Sequence, residues 1–148
     1  MLHVLSRATL LLRRPPVRVL AGALAGGGSA LVFLPLFGVP GFELGLALAL
    51  AVGLLGGGMG IAAVHQARGL LAAFDEEARR DGPVREAGRT LGATLLLNMG
   101  VLVPPFVVAT LFALVRTVCD PFALVGFYPL LAVPSAVLAS AAGVFCGF

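Results

Sequence analysis

Residues 90–115 read TLGATLLLNMGVLVPPFVVATLFALV, a run of 26 residues without a charged side chain. A helix that crosses a hydrocarbon core of about 30 Å needs about 20 residues, because each residue adds 1.5 Å along the axis. This stretch is long enough to cross a membrane once as a helix and too short to cross it twice. It predicts a transmembrane helix, and other parts of the chain repeat the pattern.

Three more uncharged stretches have a similar length: 21 residues over 19–39, 21 over 44–64 and 28 over 121–148. They predict an all-α fold, a polytopic helical membrane protein with four transmembrane helices. The spans lie at about 19–39, 44–64, 90–115 and 126–148, within one transmembrane domain over 19–148. We expect two antiparallel hairpins joined by a cytoplasmic helical loop over 65–89, in which Pro83 occupies the first turn of a helix.

The composition supports this class. Of the 148 residues, 59% are hydrophobic and 11% are charged, and the mean hydropathy is +1.06. Soluble domains average 45–50% apolar and about 25% charged residues. These values argue against a cytosolic enzyme, a disordered segment and a nucleic-acid-binding module. All ten basic residues are arginine, which we interpret as the coding bias of a GC-rich bacterium and hence as an inner-membrane location.

The arginines predict the orientation of the helices. Four precede the first predicted span and five lie in the loop over 65–89, whereas only Arg116 lies on the other side. Cytoplasmic loops of membrane proteins carry the excess of arginine and lysine, so both termini are expected in the cytoplasm. Within the basic segment over 1–18, Arg13, Arg14 and Arg18 are candidate anchors to anionic lipid headgroups of the bilayer.

Small residues recur at helical spacing in three of the predicted spans. Glycines four residues apart leave room for the backbone of a neighbouring helix. The candidate packing glycines are Gly22 with Gly26, Gly53 with Gly57, Gly56 with Gly60, and Gly143 with Gly147. Since the tight-turn sequence GVPGFE at 38–43 joins the first two helices, we expect the glycines of these two helices to face each other. Dimerisation through these glycines and a functional pivot are the alternatives.

The third span contains Asn98, Pro104 and Pro105. Each proline removes a helical hydrogen bond, and the freed carbonyl needs another partner at membrane depth. One interpretation is a kinked packing helix in which Asn98 bonds a neighbouring span. The other is a helix broken at the midplane that lines a substrate or ion path, together with kinks at Pro129 and Pro134. Ser135 and Ser140 are expected to bond their own helix backbone or to bridge to another helix.

Catalytic and metal-binding patterns are missing from the sequence. No GxSxG, phosphate-binding loop or dinucleotide fingerprint occurs, and neither His3 nor His65 has a ligand partner at metal-binding spacing. Cys119 and Cys146 are 27 residues apart, about 40 Å along a helix, whereas a disulfide needs Cα atoms within about 7 Å. We therefore predict no catalytic residue, no cofactor, no metal site and no enzymatic activity.

These observations favour a non-enzymatic anchor, scaffold or subunit of a larger membrane complex, with a protein partner or self-association and without nucleic acid. The alternative is a permease or channel component whose path lies at the broken third helix, and an intramembrane enzyme is third. The fourth span ends at Phe148 without a polar flank. We expect either that the chain is the N-terminal part of a longer protein or that this end docks on another subunit.

Overall fold

The computed structural model describes residues 8–37, 41–73, 83–115 and 121–147, and its regular secondary structure is helical throughout these ranges. A short helical turn over 8–12 precedes the main elements. These are α1 (Pro15–Leu31), α2 (Phe42–Ala51), a π-helical segment (Val52–Gly56), α3 (Gly57–Ala73), α4 (Pro83–Val115) and α5 (Pro121–Gly147).

Prolines and glycine mark where the helices begin. Pro15 starts α1 after Arg14, whose backbone is extended, and a proline is tolerated there because the first N–H groups of a helix have no intrahelical acceptor. α4 and α5 also begin with proline. Gly41 precedes α2 in an extended conformation, and Glu43 lies in the first turn, where a carboxylate interacts favourably with the positive end of the helix dipole.

α2, the π-helical segment and α3 form one continuous helix, because the residues at both joins, Val52 and Gly57, have ordinary helical dihedral angles. We call it the α2–α3 helix. The π-helical segment is a wider turn, in which hydrogen bonds join residues five apart instead of four. The helix enters the predicted loop over 65–89 and extends to Ala73, and α4 begins at Pro83. Residues 74–82 of that loop lie outside the described residues.

Within the described ranges, three helices are long and apolar enough to cross a membrane: Phe42–His65, Ala87–Val115 and Gly126–Gly147. They correspond to the second, third and fourth predicted spans. The first predicted span, 19–39, overlaps α1, which has 17 residues and ends at Leu31. At 1.5 Å per residue α1 is about 26 Å long, shorter than a typical hydrocarbon core. Turns follow over 32–37, where Pro35 lacks the N–H that would extend the helix.

Side-chain contacts give the relative direction of α1 and the α2–α3 helix and place α1 beside α4. A Cβ added to Gly58 would lie 3.6 Å from Leu20, and one added to Gly28 would lie 2.7 Å from Leu48. As α1 advances, its contacts move backward along the α2–α3 helix, so these two helices run in opposite directions. The Cβ added to Gly28 would also lie 3.3 Å from Pro105.

α5 runs in the same direction as the α2–α3 helix and lies against it. Positions where an added Cβ would approach the neighbouring helix pair Gly45 with Tyr128, Gly60 with Gly143 and Val64 with Gly147. The sequence offset is 83 residues in each pair, which defines a parallel register. The apolar core around this contact comes from buried residues of both helices, among them Leu44, Leu48, Val52, Met59, Ala132, Ala136 and Ala139.

The sequence predicts that the glycines of α1 face those of the α2–α3 helix. The structure does not bring these glycines together. No atom lies within 4 Å of a Cβ added to Gly22, Gly26 or Gly53. α1 instead turns another face to the bundle, formed by Val17, Ala21, Leu24 and Gly28. The glycines in close contact between α3 and α5 are Gly57, Gly60, Gly143 and Gly147.

Candidate functional site

Among the residues whose burial is described, four polar side chains lie in the interior of the bundle: Thr90, Thr94, Asn98 and Ser140. The first three follow one another at intervals of four on α4 and share one face of that helix. Thr94, Asn98 and Ser140 are fully buried, and Thr90 is 4% exposed. The line from Thr90 to Asn98 covers eight residues, or about 12 Å along the axis. We call these four residues the polar line.

Asn98 and Ser140 join α4 to α5. The Asn98 Nδ2 group donates a hydrogen bond of 2.8 Å to Ser140 Oγ, and the Ser140 hydroxyl donates its own proton to the carbonyl of Ala136 at 2.7 Å. A serine hydroxyl has one proton, so Oγ must accept from Asn98. This arrangement fixes the orientation of the amide. It is the inter-helix bond that the packing interpretation of Asn98 predicts.

The other end of the amide faces the π-helical segment. Asn98 Oδ1 is buried and has no hydrogen-bond partner among the described residues. A Cβ added to Gly56 would lie 2.8 Å from Oδ1 and 3.0 Å from Nδ2, so any side chain other than glycine would strike the amide. Gly56 therefore allows the backbone of the π-helical segment to approach Asn98 closely. The sequence suggested Gly56 as a packing residue but not this contact.

The hydroxyl of Tyr128 lies beside the proline pair of α4. It donates a hydrogen bond of 2.8 Å to the carbonyl of Leu102, and its ring lies 4.9 Å from that of Phe106, measured between centroids. α4 runs through Pro104 and Pro105 without interruption. The two prolines deprive the carbonyls of Gly100 and Val101 of their helical donors, and the Tyr128 hydroxyl of α5 bonds the adjacent Leu102 carbonyl instead.

The residues proposed to line a path do not come together. Asn98 and Pro105 face the interior. Pro104, Pro129 and Pro134 are exposed on the outer surface of α4 and α5. The path interpretation depends on a break in the third span, whereas α4 is one continuous helix there. The polar line instead includes Thr90 and Thr94, which the spacing of four with Asn98 could have indicated.

The other candidate residues lie near the ends of helices. Arg13, Arg14 and Arg18 are exposed around the start of α1. Cys146 is a free, exposed thiol, and Cys119 lies outside the described residues. His65 is exposed, and within the described ranges no three histidine, cysteine or acidic side chains cluster as metal ligands would.

Comparisons of the chain with family models, with curated proteins and with solved structures found no match. The geometry of the bundle is therefore the basis on which we infer the function of the chain.

Proposed function

We propose that the chain is a four-helix integral module of a bacterial inner membrane, with both termini in the cytoplasm, that serves as a non-enzymatic anchor, scaffold or subunit of a larger membrane complex. The observation that carries this proposal is the open glycine face of α1. Gly22, Gly26 and Gly27 have no atom within 4 Å of an added Cβ.

A glycine inside a helix costs about 0.5–1 kcal/mol relative to alanine. Gly60, Gly143 and Gly147 offset this cost through close packing between α3 and α5, whereas the glycines on the open face of α1 gain no such packing among the described residues. In membranes, small residues four apart allow another helix to approach closely. A transmembrane helix of a partner, or of a second copy, would use the space that Gly22 and Gly26 leave.

The test compares two variants in the membrane of origin. The double substitution Gly22→Leu with Gly26→Leu fills the open face, where an added Cβ meets nothing within 4 Å. Gly100→Leu is the matched control, because Gly100 is also open but lies on α4. We expect the wild type and the control to purify in mild detergent with the same stoichiometric companion or as the same homo-oligomer. The double variant should elute as a folded single chain. Identical masses and compositions for all three proteins would contradict the proposal.

The proposed four-span topology requires α1 to cross the bilayer. Its 17 residues and the turns over 32–37 together provide enough length for a thinned or locally adapted bilayer. A reporter inserted after Gly41 would then lie on the side opposite to the N-terminus. If the reporter and the N-terminus are on the same side, α1 does not cross and the chain has three spans.

A second candidate function, a permease or channel component, is favoured by the polar line. Polar residues inside membrane helices often mark substrate or ion pathways. If this function is correct, Asn98→Leu abolishes flux into liposomes while yield and oligomeric state remain normal. A variant that is merely less stable would remove the main support for transport.

A further inference from the structure

The turns that follow α1 over 32–37 expose large apolar side chains. Phe33 is 68% exposed, Leu34 49% and Leu36 73%, and no residue over 19–42 carries a charge. Turns at a water-exposed surface are usually formed by glycine, proline and small polar residues. A contiguous exposed apolar patch instead marks a surface that contacts a protein or a membrane. We call residues 32–37 the apolar turn.

The backbone of the apolar turn forms hydrogen bonds within the chain. The N–H groups of Phe33, Leu34 and Phe37 each donate to the carbonyl three residues earlier, at 3.0 or 3.1 Å. Pro35 has no N–H group that would need an acceptor. Since an unbonded backbone group is costly where water is scarce, these bonds suit the apolar turn to the boundary between lipid headgroups and acyl chains.

A contact with α4 gives the depth of the apolar turn. The ring of Phe33 meets that of Phe112 edge to face, with 5.8 Å between the centroids. Phe112 belongs to the membrane-compatible helix Ala87–Val115 and lies three residues before its end, or about 4.5 Å along the axis. In a bilayer that α4 crosses, the apolar turn therefore lies where α4 leaves the hydrocarbon core. This level favours acyl chains over a protein bound in the aqueous phase.

The usual interfacial anchors are missing from the chain. Tryptophan and tyrosine commonly hold transmembrane helices at the level of the headgroups, but the chain has no tryptophan, and its one tyrosine, Tyr128, is buried. The candidate arginine anchors lie around the start of α1, at the opposite end of this helix.

We infer that the apolar turn is a lipid-binding anchor, which inserts Phe33, Leu34 and Leu36 among the acyl chains just below the headgroups of the leaflet where α4 ends. It holds the end of α1 in the bilayer and compensates for the short length of this helix. This inference rests on the membrane location in the proposed function, and it does not depend on the scaffold role.

A single tryptophan can report on this position, because the chain has none of its own. We would purify the full chain with Leu36→Trp in mild detergent and reconstitute it into phosphatidylcholine vesicles. Lipids brominated near the headgroup should quench its fluorescence more strongly than lipids brominated near the ends of the acyl chains. Leu138→Trp is the matched control, because Leu138 is 69% exposed near the middle of Gly126–Gly147, and it should show the reverse order.

Two results would overturn the inference while Leu138→Trp is quenched as expected. An unquenched Leu36→Trp with the red-shifted emission of a water-exposed indole would place the apolar turn in water. An unquenched Leu36→Trp with blue-shifted emission would show that protein covers the turn. If neither variant is quenched, the membrane location in the proposed function is wrong as well.

Phe33→Trp keeps the test independent of how well Leu36→Trp folds, because it retains an aromatic ring beside Phe112. It should show the same order of quenching as Leu36→Trp. Stronger quenching of Phe33→Trp by the deeply brominated lipid, or no quenching by either lipid, would contradict insertion just below the headgroups.

Discussion

Gly57 of α3 and Gly143 of α5 contact each other, but alanine at these two positions should change the stability of the protein in opposite directions. An added Cβ at Gly143 collides with the backbone carbonyl oxygen of Gly57 and lies 3.0 Å from its C and Cα atoms. An added Cβ at Gly57 meets nothing closer than the Ala139 carbonyl oxygen, at 3.9 Å. The contact therefore has no room for a Cβ on Gly143, whereas it has room for a Cβ on Gly57.

The magnitude follows from how far the helices must move. Ordinary van der Waals contact begins at 3.4 Å, so α5 must retreat at least 0.4 Å (3.4 − 3.0) from the backbone carbons of Gly57, and further from its oxygen. Backbone atoms cannot rotate away as a side chain can. Overpacking of this kind costs about 1–3 kcal/mol, while replacing a helical glycine by alanine returns about 0.5–1 kcal/mol.

We therefore expect Gly143→Ala to lower the free energy of unfolding by about 1 kcal/mol, which is the overpacking cost less the alanine gain, and Gly57→Ala to raise it by about 0.5–1 kcal/mol. The two variants should differ by roughly 20-fold in the folding equilibrium constant, since each 1.4 kcal/mol is about tenfold. Reversible unfolding by sodium dodecyl sulfate from mild-detergent micelles, followed by far-ultraviolet circular dichroism, measures both values.

Gly58→Ala provides a further control on the same helix, because its added Cβ would lie 3.6 Å from the flexible end of Leu20. It should behave like Gly57→Ala. If Gly143→Ala is as stable as Gly57→Ala, then α3 and α5 do not pack at the distance described, and the parallel register between them is wrong.

Three other predictions concern hydrogen bonds and charge. Ser140→Ala should lower stability by about 1 kcal/mol, because Nδ2 of Asn98 loses its acceptor; zero coupling in a double-mutant cycle with Asn98→Ala would contradict this. Tyr128→Phe should cost about 1 kcal/mol by removing the donor to the Leu102 carbonyl, and an unchanged unfolding curve would show that this carbonyl is satisfied within α4. Replacing Arg13, Arg14 and Arg18 by glutamine should weaken the binding of anionic lipid by about 1 kcal/mol per arginine. Native mass spectrometry, with zwitterionic lipid as the control, measures the number of bound lipids. An unchanged number would argue against anchoring by these three arginines.

Composition and local rules were sufficient for the class of the protein and for most helix positions. The long uncharged stretches predict the three helices that can cross a membrane, and proline at the first turn predicts the start at Pro83. The inter-helix bond of Asn98 was also foreseeable, since an amide inside an apolar helix needs a partner. Each of these features depends on residues close together in the chain.

Other features required the assembled bundle. Spacing of four shows that Gly22 and Gly26 share a face, but it does not show which helix meets that face, because this depends on how all the helices pack together. The same limit applies to the Leu102 carbonyl, which accepts a hydrogen bond from the Tyr128 hydroxyl of another helix.

The sequence alone thus settles that this chain is helical and apolar enough for a membrane, because hydropathy and helix capping are local properties. Tertiary packing decides that α3 and α5 make the closest contact, that α1 turns Gly22 and Gly26 outward, and that a π-helical turn meets Asn98. These contacts join residues 42 or more positions apart, such as Asn98 with Ser140, and only the three-dimensional fit of side chains and backbone brings them together.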